Sequence, residues 1–302
     1  MDFKLWIRAV RAPFFTAVIV PVVLGTAIAF HDTGLFNLTY FLLALAGMIF
    51  IHAGINLSND YFDHKSGADE INKTPTPFSG GSRVIQEGLI PANTILTVSL
   101  LSLIIGSAIG FYFYMILGNS ILFFAATGIF IGFFYTAPPF KLGYRGLGEL
   151  MAGLGFGALV VTGAYYVQTA YISSGIILAS IPVAVLIAMV LFINEFPDYA
   201  ADKKVKKKTF VVILGKKNAV KLYHFFLVFT YFWIMAMVFI KVFPIFTLLT
   251  FLTLPLAIKA IRISRKNYDK VPDILPANAS TIMLHLFFGL LFALGYFLSS
   301  FI

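Results

Sequence analysis

Three observations predict an all-α polytopic membrane protein, one bundle of about nine transmembrane helices. The chain of 302 residues is 60% hydrophobic and only 12% charged, with a mean hydropathy of +0.92; soluble domains are about 45–50% apolar. Its apolar residues gather in runs close to the roughly 20 needed to cross a hydrocarbon core. Its Lys and Arg fall in alternate connections between those runs, as the positive-inside rule requires. Cysteine is absent, which excludes a disulfide framework, a thiolate metal site and a Cys nucleophile. A net charge of +9 could suit nucleic acid, but the basic residues are split among short connections and read as topology, with no nucleic-acid partner.

The apolar runs centre on residues 14–30, 39–58, 93–117, 119–137, 147–167, 173–193, 220–240, 243–260 and 279–301. The first follows the basic stretch MDFKLWIRAVRAPFF, the pattern of a cleaved signal peptide, but its spanning length marks it as a helix of the mature chain. Lys241 and Pro244 divide the seventh run from the eighth. Counted this way, one side of the membrane receives Lys4, Arg8 and Arg11, then Lys65, Lys73 and Arg83, then Lys141 and Arg145, then the Lys203–Lys221 block, then Lys259–Lys270. The other side receives Lys241. The N-terminus is therefore expected in the cytoplasm, the C-terminus outside, and residues 1–302 as a single transmembrane domain.

Two long connections, 59–91 and 194–218, lie on the cytoplasmic side and hold eight of the thirteen carboxylates, so the functional site is expected at that face. The first cluster reads Asn56-Leu-Ser-Asn59-Asp60-Tyr-Phe-Asp63-His-Lys-Ser-Gly67-Ala-Asp69. The second reads Asn194-Glu-Phe-Pro-Asp198-Tyr-Ala-Ala-Asp202. Each contains Asn-x-x-x-Asp, and residues four apart share a helix face, so their oxygens can point one way. Pro197 is expected to break or restart the helix there. Carboxylate and amide oxygens without His or Cys suit a hard cation such as Mg²⁺, completed by water and substrate phosphate. Either cluster alone could be solvated charge capping a helix end; the matched pair, four spans apart, favours a diphosphate held between them. A diphosphate carries about three negative charges that metal and basic groups must offset. Lys73 and Arg83 follow the first cluster, and Lys203, Lys207 and Lys208 the second. Most of that lysine run is expected to face anionic lipid.

These residues resemble the UbiA superfamily of membrane prenyltransferases over nearly the whole chain. Asn59-Asp60-x-x-Asp63 matches one aspartate-rich motif; Asn194-x-x-x-Asp198-x-x-x-Asp202, with Lys207-Lys208-Thr209 and Leu214-Gly215, matches the other. Arg11-x-Pro13-x-x-Thr16 with Pro21 and Gly25, Tyr135-Thr136-x-Pro138-Pro139 and Gly146-x-Gly148-Glu149 support it. Asp69 placed after Lys-Ser-Gly-Ala, Gly80-Gly81-Ser82-Arg83-Val84-Ile85-x-x-Gly88, and Gly163-x-Tyr165-Tyr166-Val167-Gln168 are most similar to the menaquinone branch. Lys206, where that branch often has glycine, and the stretch around Tyr144 depart from it, so the archaeal ether-lipid branch stays open.

The resemblance implies transfer of an isoprenyl group from its diphosphate to an aromatic or lipid acceptor in the membrane. Asn59, Asp60, Asp63, Asp69, Asn194, Asp198 and Asp202 would hold Mg²⁺, with Asp63, Asp198 and Asp202 essential and Asp60 and Asp69 supporting. Arg83, Lys73 and Lys207 would bind the diphosphate, and Tyr135 and Tyr144 would face the substrates. The allylic C–O bond would ionise and the acceptor ring attack the carbocation. His52 and His285, inside spans, are expected to be satisfied by interhelical hydrogen bonds rather than to function. Glu149 suits either deprotonation or positioning of an acceptor, or a structural role. An ion-coupled transporter is the rival from another class, but transporters place ionisable groups near mid-bilayer, and these spans carry theirs at one end.

Overall fold

The computed structural model describes residues 3–72 and 75–302. Its helices, in order, are α1 (Phe3–Ala9), α2 (Thr16–Thr33), α3 (Leu38–Ser66), α4 (Ala68–Ile71), α5 (Ala92–Leu117), α6 (Ser120–Phe133), α7 (Gly148–Ala152) and α8 (Leu159–Thr169). After these come α9 (Ser174–Lys204), α10 (Phe210–Leu214), α11 (Lys216–Phe239), α12 (Leu254–Asn267) and α13 (Leu275–Ser299). Short 3₁₀ segments, Ala12–Phe15 and Ile245–Thr253, lead into α2 and α12, and a π-helical segment, Gly153–Ala158, joins α7 to α8.

Eight segments among the described residues are long and apolar enough to cross a membrane, and each coincides with a run expected from the sequence. The remaining expected span, 119–137, is shorter than anticipated, since α6 stops at Phe133. Beyond it Pro138 and Pro139 offer no N–H for helical bonding. The chain instead folds back, with the Leu142 and Gly143 N–H groups on the Phe134 and Tyr135 carbonyls at 3.0 and 2.9 Å.

Two helices are longer than a bilayer needs. α3 has 29 residues and α9 has 31, roughly 44 and 46 Å at 1.5 Å per residue, against a hydrocarbon core of about 30 Å. The surplus turns carry the aspartate-rich segments. α3 ends where Gly67, at φ 77°, turns its N–H back onto the Asp63 and His64 carbonyls, a left-handed stop that glycine adopts without steric cost. α9 begins at Ser173, whose hydroxyl accepts the Ile176 N–H at 3.3 Å, and runs unbroken through Pro182 and Pro197.

That continuity departs from the expected break at Pro197 and has a physical reason. A helical proline leaves the carbonyl four residues earlier without its partner. The Ile193 carbonyl, orphaned by Pro197, accepts the Asn278 amide at 3.0 Å. The Leu178 carbonyl, orphaned by Pro182, accepts the Trp233 indole N–H at 3.1 Å. Neighbouring helices thus restore both bonds, as membrane helices require.

The largest apolar core joins α2, α8, α9, α11 and α13 around fully buried Tyr165, Phe192, Phe196, Tyr223, Phe288 and Phe292. Tyr223 and Thr281 share a hydrogen bond at 2.6 Å, and Tyr231 and Thr253 one at 2.7 Å, tying helices together within it. The α2–α8 crossing needs a small residue, because a β-carbon on Gly25 would collide with the Val161 carbonyl oxygen. Overpacking of this kind costs about 1–3 kcal/mol. Gly25→Val should therefore lower the unfolding temperature in detergent measurably, while Gly128→Ala, with open space at its β-carbon, should leave it unchanged.

Candidate active site

The surplus ends of α3 and α9 face each other across a cavity of about 220 Å³, larger than scattered bound water would fill. Asn59, Asp63 and Asp69 line one wall, and Asn194, Asp198 and Asp202 line the other, with Lys207 and Tyr135. The structure therefore brings together six of the seven residues expected to bear on metal. Asp60, the seventh, is turned away: its buried carboxylate pairs with Arg11 and accepts the Ser82 N–H at 3.2 Å. This pairing anchors the N-terminal segment and the 76–83 loop to α3.

Each wall is held by contacts the motif spacing does not disclose. The Tyr144 hydroxyl donates to Asp63 Oδ1 at 2.7 Å and lies 2.9 Å from Ser66 Oγ. The Asn72 amide donates to Asp198 Oδ1 at 2.9 Å. Ser79 and the Gly80 backbone lie close enough to Asp198 to favour its charged form. Gly80 and Gly81 both have positive φ, 81° and 75°, and a β-carbon on Gly81 would press on the Asp69 carboxylate. The glycine pair thus passes the backbone between the two acidic walls, a path that side chains would obstruct.

Within the lysine run, Lys207 alone lines the cavity; Lys203, Lys204, Lys206 and Lys208 are exposed. A backbone bond from Lys208 N–H to the Tyr144 carbonyl at 3.1 Å pins this loop to the 142–144 turn. Lys207 Nζ then sits 3.6 Å from Asp202 Oδ1 and 5.3 Å from the Tyr144 ring centroid. Arg83 does not line this cavity; it donates to the Asp69 backbone carbonyl at 2.5 Å and faces an adjoining vestibule with Lys4, Arg8 and Arg11. Lys73 lies outside the described residues.

Asn194 is fixed by a residue that sequence reasoning missed. Asn278, buried on α13, donates to Asn194 Oδ1 at 2.8 Å with the same amide nitrogen that serves the Ile193 carbonyl. Its signal was available, since an amide inside an apolar span is costly and marks a specific contact. Asn72, Ser79 and Gly80 carried no such signal. Glu149, which the sequence left open, accepts the Phe210 N–H at 2.7 Å and lies beside Glu195, which lines the cavity.

Electrostatically the site has surplus negative charge. Burial, then Asp63 and Asp60, push the Asp69 carboxyl up to about 7. Burial pulls the Lys207 ammonium down, but Asp202 and Asp63 outweigh it and hold it well above the ordinary lysine value. Burial and Asp63 raise the Tyr144 hydroxyl, which keeps it a donor. The exclusively oxygen donor set and the buried, unpartnered Asp202 Oδ2 fit a hard divalent cation. Among the described residues no three acidic or histidine side chains converge to enclose an ion alone. The donors instead stand on two walls, an arrangement suited to metal completed by a ligand's own oxygens.

A second cavity, almost wholly apolar, adjoins the first and shares Ile55, Ile131, Gly132 and Phe156 with it. It runs between α3, α5, α6 and α8 past Gly106, Gly110, Gly128 and Gly163 to Phe113 and Phe124.

Residues 18–282 match the UbiA prenyltransferase family. The chain is 32% identical to the 2-carboxy-1,4-naphthoquinone phytyltransferase of Synechocystis, over 97% of this chain and 93% of that one. It is 30% identical to the 1,4-dihydroxy-2-naphthoate octaprenyltransferase of Bacillus subtilis, over 98% and 93%. In fold it is similar to a UbiA homolog from Archaeoglobus fulgidus bound to GPP and Mg²⁺, with a TM-score of 0.68 at 17% identity over 99% and 100% of the two chains. A digeranylgeranylglyceryl phosphate synthase has a TM-score of 0.64 at 18% identity over 98% of each chain.

Removing the Asn278 amide strands the Ile193 carbonyl and frees Asn194. Asn278→Ala should cost about 1–3 kcal/mol of stability, read as a lowered unfolding temperature in detergent, more than Asn119→Ala at the exposed start of α6.

Proposed function

Because the chain belongs to the UbiA prenyltransferase family and is a membrane prenyltransferase, we propose that it transfers an isoprenyl group from its diphosphate to a dihydroxynaphthoate-like ring in quinone biosynthesis. The observation that carries this reading is the pair of buried oxygen-donor walls, one from α3 and one from α9, opening into an apolar groove. Diphosphate and prenyl tail differ sharply in polarity, and the two joined cavities offer one compartment to each. The naphthoate acceptor is supported by the Synechocystis and Bacillus relatives, which match along nearly the whole chain.

Asn59, Asp63, Asp69, Asn194, Asp198 and Asp202 would hold Mg²⁺ with the diphosphate. Bound there, Mg²⁺ would neutralise the diphosphate and stabilise it as a leaving group. Lys207 contributes a fixed ammonium on the same side, held by Asp202, and Tyr144 orients Asp63 through its hydroxyl. The allylic C–O bond lies where polar wall meets groove, at Ile55 and Phe156. There the chain's aromatic and aliphatic side chains exclude water and offer ring faces to the developing cation. Both aspartate-rich walls sit at the end of the bundle that collects most of the Lys and Arg, so the positive-inside rule supports a cytoplasmic active face and N-terminus.

The test is turnover by purified protein in lipid with Mg²⁺, geranylgeranyl diphosphate and either dihydroxynaphthoate or geranylgeranylglyceryl phosphate. A prenylated naphthol supports the reading; the glycerol ether alone moves the chain to lipid synthesis. EDTA should abolish turnover, and Asp63→Asn or Asp198→Asn should lower kcat by about 10²–10³-fold without a fall in unfolding temperature. Gly128→Phe would fill the groove, so it should raise the KM for geranylgeranyl diphosphate severalfold more than that for dimethylallyl diphosphate. Equal effects on both donors would remove the tail from this groove.

A further inference from the structure

The expectation that His52 is satisfied by a neighbouring helix fails. The residue is buried, and its Nδ1 has no hydrogen-bond partner, although leaving a buried polar group unpaired is costly. His285 on α13 is likewise unpartnered at Nε2, but His52 differs in lining the active-site cavity. His52, Asn56, Asn59 and Asp63 recur at helical spacing along one face of α3, and all four line that cavity.

Its depth is informative. His52 lies seven positions before Asn59, so the imidazole lies about 10 Å further into the bundle than the diphosphate end of the wall. At that level the polar cavity meets the apolar groove, because Ile55 and Phe156 belong to both. The ring is flanked by Phe15 at 5.4 Å and Phe156 at 4.5 Å between centroids. Phe156 comes from the π-helical segment Gly153–Ala158, and such departures inside membrane helices frequently mark functional sites. An imidazole with an unpartnered nitrogen, packed against two aromatic rings and lining the cavity where it meets the groove, suits a planar ring bearing a hydroxyl.

We propose that His52, backed by Phe15, binds the aromatic acceptor, hydrogen-bonding a ring hydroxyl while Phe156 contacts the ring. This rests on the naphthoate reading above. A neutral imidazole has one donor and one acceptor nitrogen, so it serves a hydroxyl in either direction. The bond fixes which ring carbon meets the prenyl C1, where reacting atoms must come within about 3–3.5 Å. His52 is thus an acceptor-binding residue, separate from the groups on the diphosphate.

The experiment measures KM for each substrate in the full-length protein with Mg²⁺ and geranylgeranyl diphosphate, first on the wild type. Wild-type silence with dihydroxynaphthoate overturns the naphthoate reading before any variant is made, and this proposal with it. Given turnover, His52→Leu should raise the acceptor KM about tenfold, the loss of one hydrogen bond, and leave the donor KM within about twofold. His52→Gln, which keeps an N–H and an oxygen, should return the acceptor KM to within about threefold of wild type. An unchanged acceptor KM in His52→Leu, or donor and acceptor KM rising together, overturns the proposal. If the leucine variant does not fold, Phe156→Leu is read instead: a selective rise in acceptor KM supports the site, and a wild-type value overturns it.

Discussion

Carboxylates brought together inside a membrane bundle are the constraint on which the rest of the structure depends. Asp63, Asp69 and Asp202 are buried and face a common cavity with Asp198, and there lost hydration and neighbouring carboxylates raise the Asp69 and Asp202 carboxyls. The fold answers with groups arriving from far along the chain. Lys207 comes from the loop after α9, Tyr144 from the turn after α6, and Asn72 and the Gly80 backbone from the segment after α3. Arg11 reaches in from the N-terminus to hold Asp60. Each support is polar and points inward, which a bundle tolerates only where the partners are specific. The surplus negative charge that remains is what divalent cations, shared with a bound diphosphate, would offset.

The two walls share a sequence pattern yet are built differently. On α3 the helix is regular through Asn59 and Asp63 and stops cleanly at Gly67. On α9 the corresponding residues straddle Pro197, and the helix persists because α13 lends the Asn278 amide. That single amide nitrogen also fixes Asn194 Oδ1, so the repair of a helix defect and the orientation of a site residue are one interaction. A proline three residues after Asn194 therefore links the second wall to the last helix, where the first wall has no such link.

The class of fold and the gathering of the candidate site's residues were legible in the sequence because they follow from simple patterns: length of apolar runs, placement of Lys and Arg, and the Asn-x-x-x-Asp spacing. The eight long spans fall where hydropathy puts them. Six of the seven residues named for the metal line one cavity. What stayed hidden depends on distant pairing. The Asn-x-x-x-Asp spacing selects Asp63 but does not disclose the partners: Arg11, 49 residues before Asp60, takes that carboxylate, and Tyr144, 81 residues after Asp63, takes the other. Pro197 reads as a helix breaker until the compensating Asn278 is in place. His52 reads as a satisfied polar residue because interhelical partners cannot be counted from one segment. The π-helical turn has no local signature beyond its glycines.

Glycine placement connects the bundle's packing to its chemistry. Gly25 and Gly157 are small because another backbone occupies the space a β-carbon would need, at Val161 and Ala184. Gly128 has nothing within reach of its β-carbon, and it lines the groove. The first pair closes helices tightly; the last leaves a void that packing alone would have filled. An apolar void beside a polar cavity is unfavourable for an empty bundle but suits a long hydrocarbon chain tethered to a charged head. The same layout would keep a cation formed at the junction away from water, since the groove side is almost wholly aliphatic and aromatic. Packing defects, in this chain, lie along the route the substrate would take.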